Sequence, residues 1–290
     1  MATSLESRRS LRPSRGTWRR SRWSLPLALG CSLAAACATL RATKPTAIRV
    51  VSYNIQAGAG HFDSTIATIV ALKPDIVGLQ EVDVRWSERS QFRDQAAELG
   101  QKLKMNVRFA YIYRTDNADP KNPPREYGVA LLSRFPVESW RNDFLTRLST
   151  QEANPKPTRM PGMADAVLDI AGERVRVFST HLDYRADPAV RKTQAVEIVR
   201  YIEAAEMPVI LTGDLNAPPD APEIAPLFKS LTDAWRAGHG EGLTYPSDKP
   251  VKRIDYVLLG GPWSLIRAQV VESVVSDHRP VVVDVVLRKR

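Results

Sequence analysis

Val209-Ile210-Leu211-Thr212-Gly213-Asp214-Leu215-Asn216 is the stretch that decides how this chain folds. A short apolar run from Pro208 to Thr212 reads as a strand. The run stops at Gly213 and hands over an acid and an amide, Asp214 and Asn216. Polar side chains at the end of a buried strand stand where a sheet meets solvent, which is where sites are commonly built.

The same pattern recurs outward in both directions. Arg176-Val177-Phe178-Ser179-Thr180 runs into His181, Ile48 to Tyr53 runs into Asn54, and Asp75 to Gln80 delivers Glu81 at the strand end. Beyond the opening stretch, Ile254 to Leu259 is a strand that carries Asp255, and Asp277-His278 precedes the apolar run from Pro280. The chain has 4 His, and two of them occupy these positions.

The intervening sequence supplies the other elements. A helix capped by Asp63 or Ser64 runs to Lys73 and is closed by Pro74; another spans about Phe92 to Leu103. A strand near Phe109 to Tyr113 is followed by a polar, Pro-containing loop over Asp116 to Glu126 and a buried strand over Gly128 to Ser133. Met163 to Ile170 and Glu173 to Thr180 flank Ala171-Gly172 as a hairpin. Ala189 to Glu203 is an amphipathic helix, and strands follow at Ala268 to Val271 and Val281 to Leu287. Many strands mixing hairpins and crossovers, with few helices and no separating linker, predict one α+β sandwich domain over residues 41–290.

The first forty residues differ in kind. Arg8, Arg9, Arg12, Arg15, Arg19, Arg20 and Arg22 face a single acid, Glu6, and Ser24 to Leu40 carries no charge. A basic stretch, a short apolar run and small residues form the layout of a secretory signal peptide. Residues 1–40 are therefore expected to be an export leader, and the protein periplasmic, secreted or membrane-anchored. Small residues precede both cysteines, Cys31 and Cys37, so either is a candidate lipoprotein anchor, while Ala34-Ala35-Ala36 equally suits an ordinary signal peptidase.

Charge and cysteine count exclude other classes. With 43% hydrophobic and 25% charged residues, the chain is neither collagen-like, disordered nor a polytopic membrane protein, and 2 Cys cannot staple a disulfide scaffold. The net charge of +9 invites a nucleic-acid reading. However, the leader holds +6 of it and Arg288-Lys289-Arg290 the other +3, so residues 41–287 are formally neutral. That shifts the expectation toward a compact anionic substrate.

Singly, each site residue has a structural explanation. Asn54 and Asn216 suit turns, Asp214 after Gly213 is a turn signal, Asp255 can pair with Arg253, and His181 can be a packed core histidine. Together they form a pattern. Tyr53-Asn54-Ile55, Leu79-Gln80-Glu81-Val82-Asp83, Ser179-Thr180-His181-Leu182-Asp183, Gly213-Asp214-Leu215-Asn216, Arg253-Ile254-Asp255-Tyr256-Val257 and Ser276-Asp277-His278-Arg279-Pro280 resemble the ordered motifs of the endonuclease/exonuclease/phosphatase, DNase I-like family. The resemblance implies a four-layer αββα sandwich, two mixed β-sheets flanked by helices, and a divalent metal, Mg²⁺ or alternatively Mn²⁺.

It also implies roles. Glu81 is the main metal ligand, with Asn54 and Asp277 beside it, directly or through water. Asp214 orients or deprotonates the attacking water, and Asn216 holds a phosphate oxygen. His278, steadied by Asp255, is general base or charge stabiliser, and His181 serves the leaving oxygen. Tyr111, Tyr113, Arg125, Tyr127, Arg159 and Arg185 are candidates to shape the pocket. The expected activity is a metal-dependent phosphodiesterase acting on a phospholipid headgroup or a nucleic acid, the chain working as a monomer. A phosphomonoesterase and a non-catalytic envelope binding lipoprotein are the alternatives.

Overall fold

Twelve strands pair into two sheets in the computed structural model, which describes residues 47–117 and 119–288. The leader, with Cys31 and Cys37, lies outside the described residues. In chain order the elements are β1 (Ala47–Asn54), α1 (Phe62–Leu72), β2 (Ile76–Val84), α2 (Gln95–Leu103), β3 (Asn106–Thr115), β4 (Arg125–Ser133), β5 (Val137–Arg147) and β6 (Thr158–Ile170). They continue with β7 (Glu173–His181), α3 (Ala189–Glu203), β8 (Val209–Asp214), α4 (Ala225–Ser230), β9 (Thr232–Asp233), β10 (Asp255–Gly260), β11 (Trp263–Val270) and β12 (Val281–Leu287).

Sheet one has the order β11-β12-β1-β2-β4-β3 and sheet two β5-β6-β7-β8-β10-β9. Both are mixed, and both are built around a parallel pair joined by a crossover helix: β1–α1–β2 in one, β7–α3–β8 in the other. Each pair is flanked by antiparallel strands, β12 and β4 in sheet one, β6 and β10 in sheet two. No sequence repeat announces this likeness of the two halves.

Three apolar layers follow from the alternation of side chains across the strands. Val50, Ile76, Leu131, Val177, Ile210 and Val283 belong to the core between the sheets. Phe62, Ile66 and Ile69 of α1 and Leu99 of α2 cover the outer face of sheet one, against Val51, Tyr53 and Val77. Ala195, Ile198 and Ile202 of α3 and Leu227 of α4 cover sheet two, against Phe178 and Leu211. The result is the expected αββα order of helices, sheet, sheet and helices.

At one end of the sandwich the inter-sheet layer turns polar and tight. Gly78 of β2 faces Thr212 of β8 so closely that a Cβ at position 78 would lie 1.8 Å from Thr212 Oγ1. Beside them, Gln80 Nε2 donates to Ser179 Oγ at 3.2 Å, and Thr212 Oγ1 donates to the Phe178 carbonyl at 2.9 Å. At the opposite end β1 and β12 bring Ala47 against Val286, and the Ala171-Gly172 turn joins β6 to β7.

Several boundaries differ from the sequence reading. The second strand does not end before Glu81 but runs on to Val84. β5 was not expected at all, since its first half, Glu138 to Arg141, is polar and exposed. It is an edge strand of sheet two, and charge on an edge discourages pairing with another chain. α4, of six residues, was also missed.

Candidate active site

Strand register assembles the centre of the site. On sheet two His181 is the β-partner of Asp214 across β7 and β8, and Asp255 is its partner across β10 and β8. Three chemically capable residues thus form one row, and a slip of one residue in β8 would turn Asp214 to the opposite face. Sheet one contributes Asn54 from the end of β1 and Glu81 from β2. Leu79 pairs with Ala130 and Val82 with Gly128, so Gln80 and Glu81 share the space opposite one residue in a β-bulge. Glu81 takes φ of 54° there, a left-handed backbone costing roughly 1–2 kcal/mol. Bulges and strained backbone recur beside active sites because they aim a side chain the regular ladder would not. Asp277 and His278 arrive on the loop before β12.

Asp214 is the hub, 1% exposed. Its Oδ2 accepts from Asn54 Nδ2 at 3.1 Å and lies 3.4 Å from His181 Nε2 and 3.6 Å from His278 Nε2. Its Oδ1 accepts from the Asn216 backbone N–H at 2.9 Å. Burial, with Asp255 adding to it, raises the Asp214 carboxyl above its ordinary range, and the two histidines pull it partly back. Asn216 occupies a left-handed backbone, φ 51°, and its Nδ2 donates to the Leu182 carbonyl at 3.1 Å.

His278 is held between acids. Its Nδ1 is 2.9 Å from Asp255 Oδ2, and the Tyr245 ring packs 4.8 Å away. Asp255 Oδ1 is buried without a partner, so His278 alone compensates that carboxylate among the described residues. Burial by itself would depress the imidazole, but Asp255, Asp214 and Asp277 outweigh it and raise His278 to about 10. The ring is therefore an imidazolium at neutral pH. The alternative of an Asp255–Arg253 pair does not form: Arg253 bonds Asp233 at 2.7 Å.

Three residues were expected around a metal. Glu81 and Asp277 both line the cleft, and Asp277 is raised by burial, with the Glu81 charge adding to it. Two crowded carboxylates of this kind are the hard oxygen donors that Mg²⁺ takes, one or two at a time. Asn54 presents its nitrogen instead. Its Oδ1 accepts from the Gln56 N–H at 3.0 Å, which turns Nδ2 toward Glu81 Oε1 at 3.1 Å and Asp214. Flipping the amide would set two N–H groups against each other, so in this arrangement Asn54 braces the two carboxylates. Asp214, Asp255 and His278 also offer ligand atoms within 4.8 Å of one another. His278 Nδ1 is already engaged by Asp255, and Mg²⁺ prefers oxygen donors, which leaves Glu81 and Asp277 as the better fit.

These groups open into a cleft of about 730 Å³. Of the residues expected to shape it, Tyr113, Tyr127 and Arg185 line the walls. Arg159 is taken up by Glu197 and Arg125 by Asn117, and neither they nor Tyr111 line the cleft. Trp86, Tyr245, Lys252 and Arg147 line it without having been singled out from the sequence. Trp86, Tyr113 and Tyr127 form one aromatic cluster, with centroids 6.0–6.2 Å apart. Burial, reinforced by Glu81, holds the Tyr127 phenol well above its ordinary value, so it stays a donor.

Two mixed six-stranded sheets covered by helices, with this cluster at one end, give the chain a DNase I-like fold. The chain belongs to the endonuclease/exonuclease/phosphatase family, whose model matches residues 51–278, and whose members are phosphoester hydrolases that usually use divalent metals. A solved endonuclease/exonuclease/phosphatase from Beutenbergia cavernae superposes with a TM-score of 0.62 at 22% identity, over 83% of this chain and 72% of that one. The Bacteroides thetaiotaomicron mannosyl-6-phosphatase gives 0.63 at 16% identity, over 83% and 100% of the two chains. The human Nocturnin catalytic domain with bound sulfate gives 0.62 at 20%, over 84% and 94%. At these identities the likeness shows the fold. No curated protein sequence matches the chain.

Proposed function

We propose that this protein is an exported, divalent-metal-dependent phosphodiesterase that hydrolyses a compact phosphoester, such as a phospholipid headgroup or a short nucleic acid, with activated water. The observation that carries this reading is the convergence on Asp214 Oδ2 of Asn54, His181 and His278, each within 3.6 Å. A purely structural aspartate needs no such ring of donors.

Glu81 and Asp277 would hold Mg²⁺ or Mn²⁺, with Asn54 fixing Glu81. When bound, the ion withdraws charge from the phosphate and orients it. Asp214, made a stronger base by burial, accepts the proton of the attacking water. His278, protonated and locked by Asp255, donates from Nε2 to the charge that builds on the phosphoryl oxygens. The structure thus favours the charge-stabiliser role for His278 over the base role. Asn216 contributes its second amide hydrogen to the same oxygens, and His181 hydrogen-bonds or protonates the leaving oxygen.

The formal neutrality of residues 41–287 supports a compact substrate over a long polyanion. Export and the lipid anchor rest on the arginine-rich, then uncharged, leader with Cys31 and Cys37. The name of the Bacteroides relative makes a phosphomonoester the competing substrate. Hydrolysis of bis(p-nitrophenyl) phosphate and of p-nitrophenyl phosphate, each with Mg²⁺ and with EDTA, separates the two. The expected result is EDTA-sensitive cleavage of the diester, lost in Asp214→Asn. Undiminished diester cleavage by Asp214→Asn overturns the assignment, and preference for the monoester overturns its diesterase part.

A further inference from the structure

Among the described residues four arginines are buried to less than a tenth of their surface, and three of them have an acid. Arg176 bonds Asp165 at 2.6 Å, Arg191 bonds Glu223 at 2.8 Å, and Arg253 bonds Asp233 at 2.7 Å. Arg147, at the end of β5 and 7% exposed, has none among the described residues. It donates only to two backbone carbonyls, that of His181 at 2.9 Å and that of Gly162 at 2.8 Å, and its Nε is buried without a partner. A guanidinium has five N–H groups, so three are left over.

The charge around it is not balanced by neighbours. The acids that act on Arg147 are Asp183 and Glu197, and each is already bonded to another arginine: Asp183 to Arg185, Glu197 to Arg159. Three guanidinium groups thus face two carboxylates. The other groups acting on it are the phenols of Tyr113 and Tyr127, and Tyr127 is held protonated. A buried cation without a counter-charge is strongly unfavourable, and burial pulls Arg147 down to about 10 although both phenols and both acids act the other way. A bound anion would supply the missing charge. Arg147 lines the cleft, beside His181 and the Trp86–Tyr113–Tyr127 cluster, and its two carbonyl bonds fix the plane of the guanidinium in advance.

We propose that Arg147 forms a second anion subsite in the cleft, taking a phosphate of the substrate other than the one that is hydrolysed. The proposal rests on the phosphoesterase reading for its substrate and deepens it: the substrate carries at least two phosphates, or a phosphodiester next to a phosphate. The second hydrogens of Arg147 Nη1 and Nη2 match phosphate oxygens. Phosphorylated polyols and nucleotides both offer this chemistry.

Titration calorimetry on the full chain tests it, in Mg²⁺ and in an Asp214→Asn background. Two ligand pairs are compared: inositol 1,4-bisphosphate against inositol 1-phosphate, and a thymidine dinucleotide with against without a 5′-phosphate. In at least one pair the second phosphate should tighten binding tenfold or more, and the pair that responds identifies the source. The gain should vanish in Arg147→Met and fall at least threefold in Arg147→Lys, which keeps the charge but not the planar fork. Should Arg147→Met not fold, as judged by circular dichroism, the lysine variant decides. Affinities within twofold in both pairs, the absence of binding heat for all four ligands, or a gain that survives the Arg147 substitutions overturns the proposal. Product analysis of the same samples reports on the underlying reading separately. Turnover in the Asp214→Asn background would sink the catalytic assignment without touching the difference in binding.

Discussion

The sharpest single perturbation of this structure is Gly78→Ala. Position 78 is where β2, which carries Glu81, approaches β8, which carries Asp214. A methyl group there would meet Thr212 Oγ1 at 1.8 Å, Thr212 Cβ at 2.7 Å and Ser179 Oγ at 3.1 Å. Bringing the first contact to even 3.0 Å requires a shift of 3.0 − 1.8 = 1.2 Å. Thr212 cannot swing away freely, because its hydroxyl is bonded to the Phe178 carbonyl, so part of the shift falls on the strands. Overpacking of this kind costs roughly 1–3 kcal/mol. For a domain of this size that lowers Tm by about 2–4 °C per kcal/mol. That part of the shift is passed on to the separation of Glu81 from Asp214, and a misplacement near 1 Å costs on the order of a hundredfold in rate. Thermal unfolding and kcat for bis(p-nitrophenyl) phosphate measure the two effects. Adding Thr212→Ala removes the shortest contact and should restore part of both, although alone it loses a hydrogen bond worth about 1 kcal/mol. A Gly78→Ala protein with unchanged Tm and unchanged kcat would refute the argument that inter-sheet spacing sets the site.

Three further expectations concern charge. Asp255→Asn should lower His278 from about 10 toward the ordinary imidazole value, read from histidine ring proton shifts in EDTA; a wild-type His278 titrating near pH 6.5 contradicts the ion pair. Because the folded value of His278 lies above the unfolded one, its stabilisation is complete below about pH 6.5 and fades as pH rises toward 10, so urea midpoints should fall over that window less in Asp255→Asn than in wild type. Asp143 is raised to about 6 by burial and by Asp165, so its contribution falls as pH rises from about 4 to 6, and Asp143→Asn should flatten that part of the stability profile; an unchanged profile rules this out. Glu81→Gln should abolish the rise in Tm that Mg²⁺ gives the wild-type protein, and an equal rise in the variant would place the ion elsewhere.

Much of this site could be read from the chain because its residues sit at the ends of strands with unambiguous burial. Val209 to Leu211 is apolar on both faces, so β8 and Asp214 were plain, and the β7 and β12 runs placed His181 and His278 in the same way. What escaped depends on pairing between distant segments. Glu81 was identified, but the bulge that aims it exists only because Val82 pairs with Gly128. The protonated state of His278 depends on an aspartate 23 positions away. Arg147 is one of 41 basic residues, and nothing local marks it; what sets it apart is that the acids near it are bonded to other arginines. β5 was hidden for a related reason: its inward residues, Asp143, Leu145 and Arg147, emerge only after a polar, exposed first half.

The pairing of β1 with β12 has a consequence for how the fold is threaded. Ala47 lies against Val286, at the other end of β1 from Asn54, so the first and last strands of the domain meet away from the cluster. A brief linker could join these two strands into a ring, and the ring could be reopened at the exposed Ala171-Gly172 turn, far along β7 from His181. The permuted polypeptide would begin with the β7–α3–β8 half and finish with β6, yet every residue of the cluster would keep its neighbours. Catalytic geometry in this sandwich is a property of which strands lie side by side, and it is indifferent to the order in which a ribosome makes them.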